Sequence, residues 1–290
     1  MRYTCWRKPD KERAQAIPKY SSDPDEKIHL RSSPALNVTN GRQPPMSNPV
    51  AVSIIIPAFN EAEFLGITLE YLRAAQCHFQ EQYHFASEII VVDNASNDET
   101  AEIARQQEVI VAHDPIRNIA RARNTGARRA RGDVLVFIDA DTIVPEQTIT
   151  RIWCALESPS CLGGVIEPLY QPTRRFMRLY LAAWRWYGRC LRMSQGPAQF
   201  FRQQSFEKIG GYDESLYVGE DVECIWRLRK LARQRGGYVE SIQDIAVRAS
   251  SRRFDQWPTW RVLLWTNPLF IALFWRSKKA WTGWYKRPPR

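Results

Sequence analysis

Val52-Ser53-Ile54-Ile55-Ile56, followed at once by Pro57-Ala58-Phe59-Asn60, decides the fold. A short apolar, β-branched run without polar alternation marks a strand covered on both faces. The Pro-Ala-Phe-Asn stretch stops it, and a helical segment follows from about Glu61 to Ala75. The pattern then repeats. Glu88-Ile89-Ile90-Val91-Val92 ends at Asp93-Asn94 and leads into a helix beginning near Asp98. Val109-Ile110-Val111 is a third run, and Asp133-Val134-Leu135-Val136-Phe137-Ile138 a fourth, ending at Asp139. Buried strands alternating with helices imply an α/β fold, a mostly parallel central sheet flanked by helices, with right-handed crossovers. Ligands bind such sheets beyond the carboxyl ends of the strands. The polar residues after strands one, two and four should therefore meet in one cleft.

Outside this core the texture changes. Residues 1–48 are rich in Lys, Arg, Ser, Pro and Asp and have no helical or strand period, so they read as a disordered extension. Met46 stands just before the first strand and is an alternative natural start. The α/β domain spans 49–254, and 255–290 form an aromatic, basic C-terminal extension. A chain of 290 residues with 44% hydrophobic and 25% charged residues can bury a real core. Its net charge of +10 suits phosphate-rich ligands, polyanions or an anionic membrane surface, without choosing among them. No apolar run is long enough to span a bilayer, and the start lacks a signal-peptide core. The domain is expected in the cytoplasm, or at the inner face of the cell membrane. The six scattered cysteines read as reduced, mostly buried thiols, and the four unclustered histidines form no zinc-ligand motif.

Three acidic clusters stand out: Asp93 after the second strand, Asp139-Ala140-Asp141 after the fourth, and Glu220-Asp221 beyond the glycine-bearing stretch from Gly210 to Gly219. In extended chain Asp139 and Asp141 point to the same side. Two carboxylates so placed repel unless a cation or ligand offsets them. Oxygen ligands of this kind suit Mg²⁺ or Mn²⁺ together with substrate phosphates. A pair of loop-capping aspartates is the plainer alternative.

Taken in order, Pro57-Ala58-Phe59-Asn60-Glu61, Val91 to Ala101, Ala122-Arg123-Asn124-Thr125-Gly126, Asp139-Ala140-Asp141, Gly210 to Glu214 and Glu220 to Glu223 resemble the family 2 glycosyltransferases, which have the GT-A fold. The resemblance covers roughly residues 50–250. It implies transfer of a sugar from a nucleotide diphosphate sugar, UDP-linked by preference, to an acceptor hydroxyl, with inversion. It implies that Pro57, Phe59 and Glu61 wrap the nucleoside and that Asp93 accepts from the base. Arg123 would lie near the nucleotide, Asp139 near the ribose, and Asp141 on a Mn²⁺ or Mg²⁺ ion joined to the diphosphate. Asp221 would be the base, with Glu220 orienting the loop or acceptor. Such a base suits a hydroxyl that must lose its proton as it attacks, and a divalent ion offsets charge on the departing diphosphate. Asp213 and Glu214 are alternative bases that read better as a structural turn.

There are departures. Asn94 and Ala95 stand where many members carry Asp and Gly, which weakens base identity. No His follows His113, so water or phosphate oxygens must complete a metal shell. Ser250-Ser251-Arg252-Arg253-Phe254 is similar to a Ser-x-Arg-Arg segment of a bacterial subgroup, in which an Arg pairs with the diphosphate; a solvated surface pair is the equal alternative.

Between Gln171 and Met193 the chain reads as a helix, with Arg178, Arg185, Arg189 and Arg192 on one stripe and Leu179, Leu181, Trp184, Trp186, Tyr187 and Leu191 over much of the rest. Packing on the sheet with a solvated Arg face is the expected reading; contact with anionic lipid or a phosphate-bearing acceptor is the alternative. From Trp257 to Arg287, Trp interleaved with Lys and Arg suits a membrane interface, and peripheral contact is expected. The resemblance implies a glycan or lipid-linked acceptor, in cell-envelope glycan or glycolipid synthesis. A nucleotidyltransferase acting on sugar phosphates is the rival enzyme, but the loop at Pro57–Glu61 lacks the glycine-rich, basic phosphate cradle. The Arg-rich run from Arg117 to Arg131 suggests nucleic acid, yet it has no recognisable module, and no specific nucleic-acid partner is expected.

Overall fold

The computed structural model describes residues 50–190 and 196–281. The N-terminal extension, Arg192, and the basic and aromatic residues from 282 to 290 lie outside them. In chain order the elements are β1 (Val50–Ala58), α1 (Leu65–Tyr83), β2 (Ala86–Asp93), α2 (Thr100–Gln106), β3 (Ile110–His113), α3 (Ile119–Arg129), β4 (Val134–Ile138), β5 (Thr142–Ile143), α4 (Thr148–Glu157) and β6 (Cys161–Leu169). There follow α5 (Arg175–Cys190), β7 (Ala198–Arg202), α6 (Gln203–Lys208), α7 (Glu220–Gln234), β8 (Tyr238–Ala249), α8 (Arg252–Gln256), α9 (Thr259–Trp265), α10 (Pro268–Phe274) and α11 (Lys278–Trp281).

One eight-stranded sheet holds the domain, in the order β3-β2-β1-β4-β7-β6-β8-β5. β1 lies parallel between β2 and β4, and β3 is parallel to β2. β7 is antiparallel to both β4 and β6, and β8 is parallel to β6. β6 and β8 therefore point the same way as β1, β2 and β4. The apolar runs are continuous because both faces are covered. Ile54, Ile56, Val91, Val136 and Ile138 pack with Leu69, Phe79 and Trp153 of α1 and α4. Ile55, Ile90, Val92, Leu135 and Phe137 pack with Ala122 of α3 and Ile225 and Leu228 of α7. Alternation by parity sends neighbouring side chains to opposite layers. Each such fully buried side chain contributes about 1.5–3 kcal/mol.

Three boundaries in the first two elements differ from the reading of the sequence. β1 continues through Pro57 and Ala58, which pair with Val92 and Asp93; its ladder with β4 ends at Ile55–Phe137, where a residue without an N–H is tolerated. α1 begins at Leu65, because Glu61 to Phe64 form a turn in which the Glu61 carbonyl accepts from the Phe64 and Leu65 amides. It runs on to Tyr83, since Leu72, Ala75 and Phe79 extend its buried stripe.

The C-terminal helices form a separate cluster with α5. Met177, Trp257, Val262, Trp265 and Trp281 are buried together, with Tyr180 and Phe254 against them. Tyr180 Oη hydrogen-bonds Thr266 Oγ1 at 2.6 Å, and Arg174 donates to the Trp257 carbonyl at 3.1 Å. Through this stripe α5 rests on the C-terminal helices. No helix among the described residues is long and apolar enough to cross a membrane.

Candidate active site

The shared direction of β1, β2, β4, β6 and β8 puts their carboxyl ends on one edge of the sheet. Asp93 closes β2 beside Ala58. It is buried, and its Oδ1 accepts from the Ser96 amide at 3.1 Å while Oδ2 meets His113 Nδ1 at 3.0 Å. Ser96 Oγ in turn accepts from the Asn60 amide, and Asn60 Oδ1 from the Asn97 amide. Asn60 makes this turn with a left-handed φ of 54°, which Asn tolerates better than most residues. The loops after β1 and β2 thus hold each other. Pro57 lies buried at the strand's end, and Phe59 sits on the rim with the Arg117 guanidinium 3.7 Å from its ring centre.

Two arginines then clamp acids from distant parts of the chain. Arg123, from α3, is almost fully buried. Its Nη1 donates to Glu220 Oε1 at 2.6 Å and its Nη2 to Asp139 Oδ1 at 2.9 Å. α3 can come this close because Gly126 faces the sheet, where a Cβ would collide with the Ile55 side chain. Arg252, from α8, donates to Glu61 Oε1 and lies 3.2 Å from Asp141 Oδ2. The Ser-Ser-Arg-Arg segment is therefore part of the acidic edge, brought there by β8. Burial, with Asp141 beside it, raises the Glu61 carboxyl to about 7. Burial also raises Asp141, with Arg252 opposing and Asp139 adding. Burial, eased by Arg123 and reinforced by Asp221, raises Glu220 to about 7.

Asp221 opens α7 after Gly219, whose φ of 77° makes the turn that presents the pair. Asp221 Oδ2 accepts from the Gly196 amide at 2.9 Å, and its Oδ1 from the Val222 amide at 2.8 Å. Each oxygen keeps a further lone pair. Its carbonyl accepts from Gln199, whose Oε1 accepts from Tyr212 Oη at 2.6 Å. Tyr170, just past the end of β6, lies among Asp139, Asp141 and Asp221; burial first, and then those three carboxylates, push its phenol up. The fold therefore brings Asp139, Asp141, Glu220 and Asp221 together. Asp93 stands two strands away on the same edge, about 10 Å by strand spacing.

Asp213 and Glu214 face elsewhere. Asp213 holds the Ser215 amide and hydroxyl, and Glu214 accepts from Asn124 and pairs with Arg121 and Arg128. Several arginines of the run from 117 to 131 are thereby occupied: Arg121 on Asp114, Arg123 as above, Arg131 on Glu88. The sequence reading missed Tyr170, although the strand-end rule applied to β6 would have found it. It also missed Asn94, whose amide donates to the Asp114 and Ile116 carbonyls and accepts from the Asn118 amide.

Among the described residues, no group of three or more His, Cys, Asp or Glu side chains is assembled to cage a metal. The donor chemistry nevertheless fits a hard cation completed by phosphate and water. Asp139 and Asp141 keep 31% and 22% of their side-chain surface exposed. Glu61 Oε2 is buried without a hydrogen-bond partner among the described residues.

Residues 53–210, more than half of the chain, match the model of glycosyl transferase family 2. The chain belongs to that family, the one its sequence resembles, rather than to the nucleotidyltransferases. It is 30% identical over 183 residues to the glycosyltransferase AglE of Haloferax volcanii, covering 59% of each chain. It is 34% identical over 124 residues to the undecaprenyl-phosphate 4-deoxy-4-formamido-L-arabinose transferase of Pseudomonas savastanoi pv. phaseolicola, covering 40% of this chain and 35% of that one. The chain thus spans less than two thirds of these relatives' length. In fold it matches glucosyl-3-phosphoglycerate synthase from Mycobacterium tuberculosis, solved with Mn²⁺, UDP and glucosyl-3-phosphoglycerate. That match has a TM-score of 0.53 at 16% identity, over 78% of this chain and 80% of that one. The GT-A-like architecture agrees with the mostly parallel sheet expected from the sequence.

Proposed function

We propose that this chain transfers a sugar from a UDP-linked donor to a hydroxyl of a lipid-linked acceptor, with inversion at the anomeric carbon. The observation that carries this reading is the double clamp, Arg252 joining Glu61 to Asp141 and Arg123 joining Asp139 to Glu220. Such spending of buried charge at a strand edge has little structural use, since apolar residues would pack there at lower cost. It does prepare a site whose field changes when a diphosphate and a cation enter.

The protein's own groups divide the work. Asp93 offers a carboxylate oxygen to the base, with Pro57 and Phe59 as the wall of that subsite. Asp139 is placed toward the ribose, and Asp141 with Asp139 would hold Mn²⁺ or Mg²⁺. When bound, the ion supplies positive charge that offsets the departing diphosphate. Arg252 can move from its carboxylates to phosphate oxygens, which it would bind as a fork. Arg123 stays buried and fixes Asp139 against Glu220. Glu220 is a positioning residue, because its oxygen is committed to Arg123. Asp221 takes the acceptor proton as the new bond forms, held in place by the Gly196 and Val222 amides. The relative that acts on undecaprenyl phosphate supports a lipid-linked acceptor, and the fold neighbour with Mn²⁺ and UDP supports the donor and the ion.

A panel of nucleotide sugars with Mn²⁺ tests the reading by the nucleoside diphosphate released. One UDP-sugar should be hydrolysed slowly by the wild type and not by Asp141→Ala. Equal release by both proteins would refute the assigned site.

A further inference from the structure

The helices that build the cluster around Met177 and Trp257 also leave large apolar side chains in solvent. On α9 these are Trp260, Leu263 and Leu264; on α10, Leu269 and Leu273, at 74% and 76% exposure. On α5 they are Phe176, Leu179 and Trp186. Spacings of three, four and seven residues put each set on one helix face. Single exposed leucines need no explanation, but three neighbouring helices bearing such residues do.

The charge around them has one sign. Residues 175–190 contain four arginines and no acid, and residues 252–281 contain six basic residues and only Asp255. Arg175, Arg178, Arg185, Arg276 and Lys279 are exposed. On α5 the exposed Arg175, Arg178 and Arg185 each precede one of the exposed apolar residues or lie beside it, a basic stripe along an apolar one. A protein partner of ordinary composition would leave this charge unmatched, whereas an anionic lipid surface offers both a basic-seeking headgroup layer and an apolar interior. Trp at the border of such a patch suits the headgroup level.

The same helices touch the loop that presents Glu220 and Asp221. The Tyr217 amide donates to the Trp275 carbonyl at 2.9 Å. Arg276 lies 3.5 Å from Asp213, and a Cβ placed on Gly219, the residue that turns into α7, would meet Ile271 Cγ2 at 3.9 Å. At the other end of the unit, α8 carries Arg252 to Glu61 and Asp141.

We infer that α5, α9 and α10 form one docking face for an anionic lipid surface, and that docking orders the loop from Asp213 to Gly219 through its contacts with α10 and Arg276. The first half stands on the surface alone; the second rests on the proposed role of Glu220 and Asp221. A lipid-linked acceptor would then reach the site only where the loop is set.

Flotation of the full chain with vesicles of phosphatidylcholine, with or without phosphatidylglycerol, tests it without any nucleotide sugar. Roughly tenfold more protein should float with the anionic vesicles. Leu269→Glu/Leu273→Glu and Leu179→Glu/Trp186→Glu should each abolish this with an unchanged melting temperature, while Asp141→Ala floats as the wild type does. Amide hydrogen exchange at Tyr217 should slow on the anionic vesicles. Failure to float, or equal flotation of the variants, overturns the docking face. A wild-type dimer that the variants split, with no vesicle binding, overturns it in favour of a second copy. Flotation without slower exchange at Tyr217 overturns the link to the loop.

Discussion

The acidic edge of the sheet and the C-terminal helices carry opposite kinds of charge in opposite settings. At the edge, Arg123 is buried between Asp139 and Glu220, and Arg252 is held by Glu61 and Asp141. On the helices, Arg178, Arg185 and Arg276 stand in solvent beside exposed leucines and tryptophans. Desolvated charge is costly unless its geometry is fixed, so the edge is rigid and specific. Exposed charge is weak pair by pair and acts as a sum, so the helices suit a broad surface rather than a defined ligand. On the proposed function, the first region would set the chemistry and the second would set where it happens.

Breaking the first region should have the larger consequences. Asp221→Asn keeps an acceptor oxygen for only one of the Gly196 and Val222 amides and removes the proton acceptor. Sugar transfer should fall about 10²–10⁴-fold, with UDP binding retained, as kinetics and calorimetry would show. Arg123→Ala strands Glu220 and Asp139 without their common partner, and stability should drop by about 3–5 kcal/mol in urea unfolding. Asn94→Asp turns a donor to two carbonyls into an acceptor facing them; a loss of about 1–3 kcal/mol is expected, read by the same unfolding curves.

The smallest effect is one of pH. Glu220 titrates near 4.5 in an open chain and is raised to about 7 by burial in the folded one. Between those values the folded state holds the extra proton. Stability from this group is therefore fully present below pH 4.5 and is lost as pH rises through 7. Glu61 acts with the same sign. Glu220→Gln should flatten part of this slope between about pH 5 and about pH 8, measured as the urea midpoint at each pH.

The parts of the site legible in the sequence are those governed by local rules. Val52–Ile56, Glu88–Val92 and Val134–Ile138 read as buried strands from composition, and the strand-end rule puts Asp93, Asp139 and Asp141 on one edge of the sheet. Tyr170 and Arg252 depend instead on which way β6 and β8 run. That direction comes from the antiparallel insertion of β7 between β4 and β6, a long-range pairing with no local signature. Asn94 shows a different gap. Read as a departure from a pattern, it weakens an assignment; in the fold its Nδ2 donates to the Asp114 and Ile116 carbonyls, a task an amide can do and a carboxylate cannot, while its Oδ1 accepts from the Asn118 amide at the start of α3. The stripe of α5 was legible as amphipathic, but not its partner, because Met177 and Tyr180 meet helices 80 residues further on.

Calorimetric titration of UDP in the presence and absence of Mn²⁺, on the wild type and on Asp141→Asn, tests most directly whether the clamped carboxylates form a cation-assisted diphosphate site. The wild type should bind saturably and only with Mn²⁺, and the variant should lose that binding while melting at the same temperature. Equal affinity in the two proteins, or binding indifferent to the ion, would contradict it.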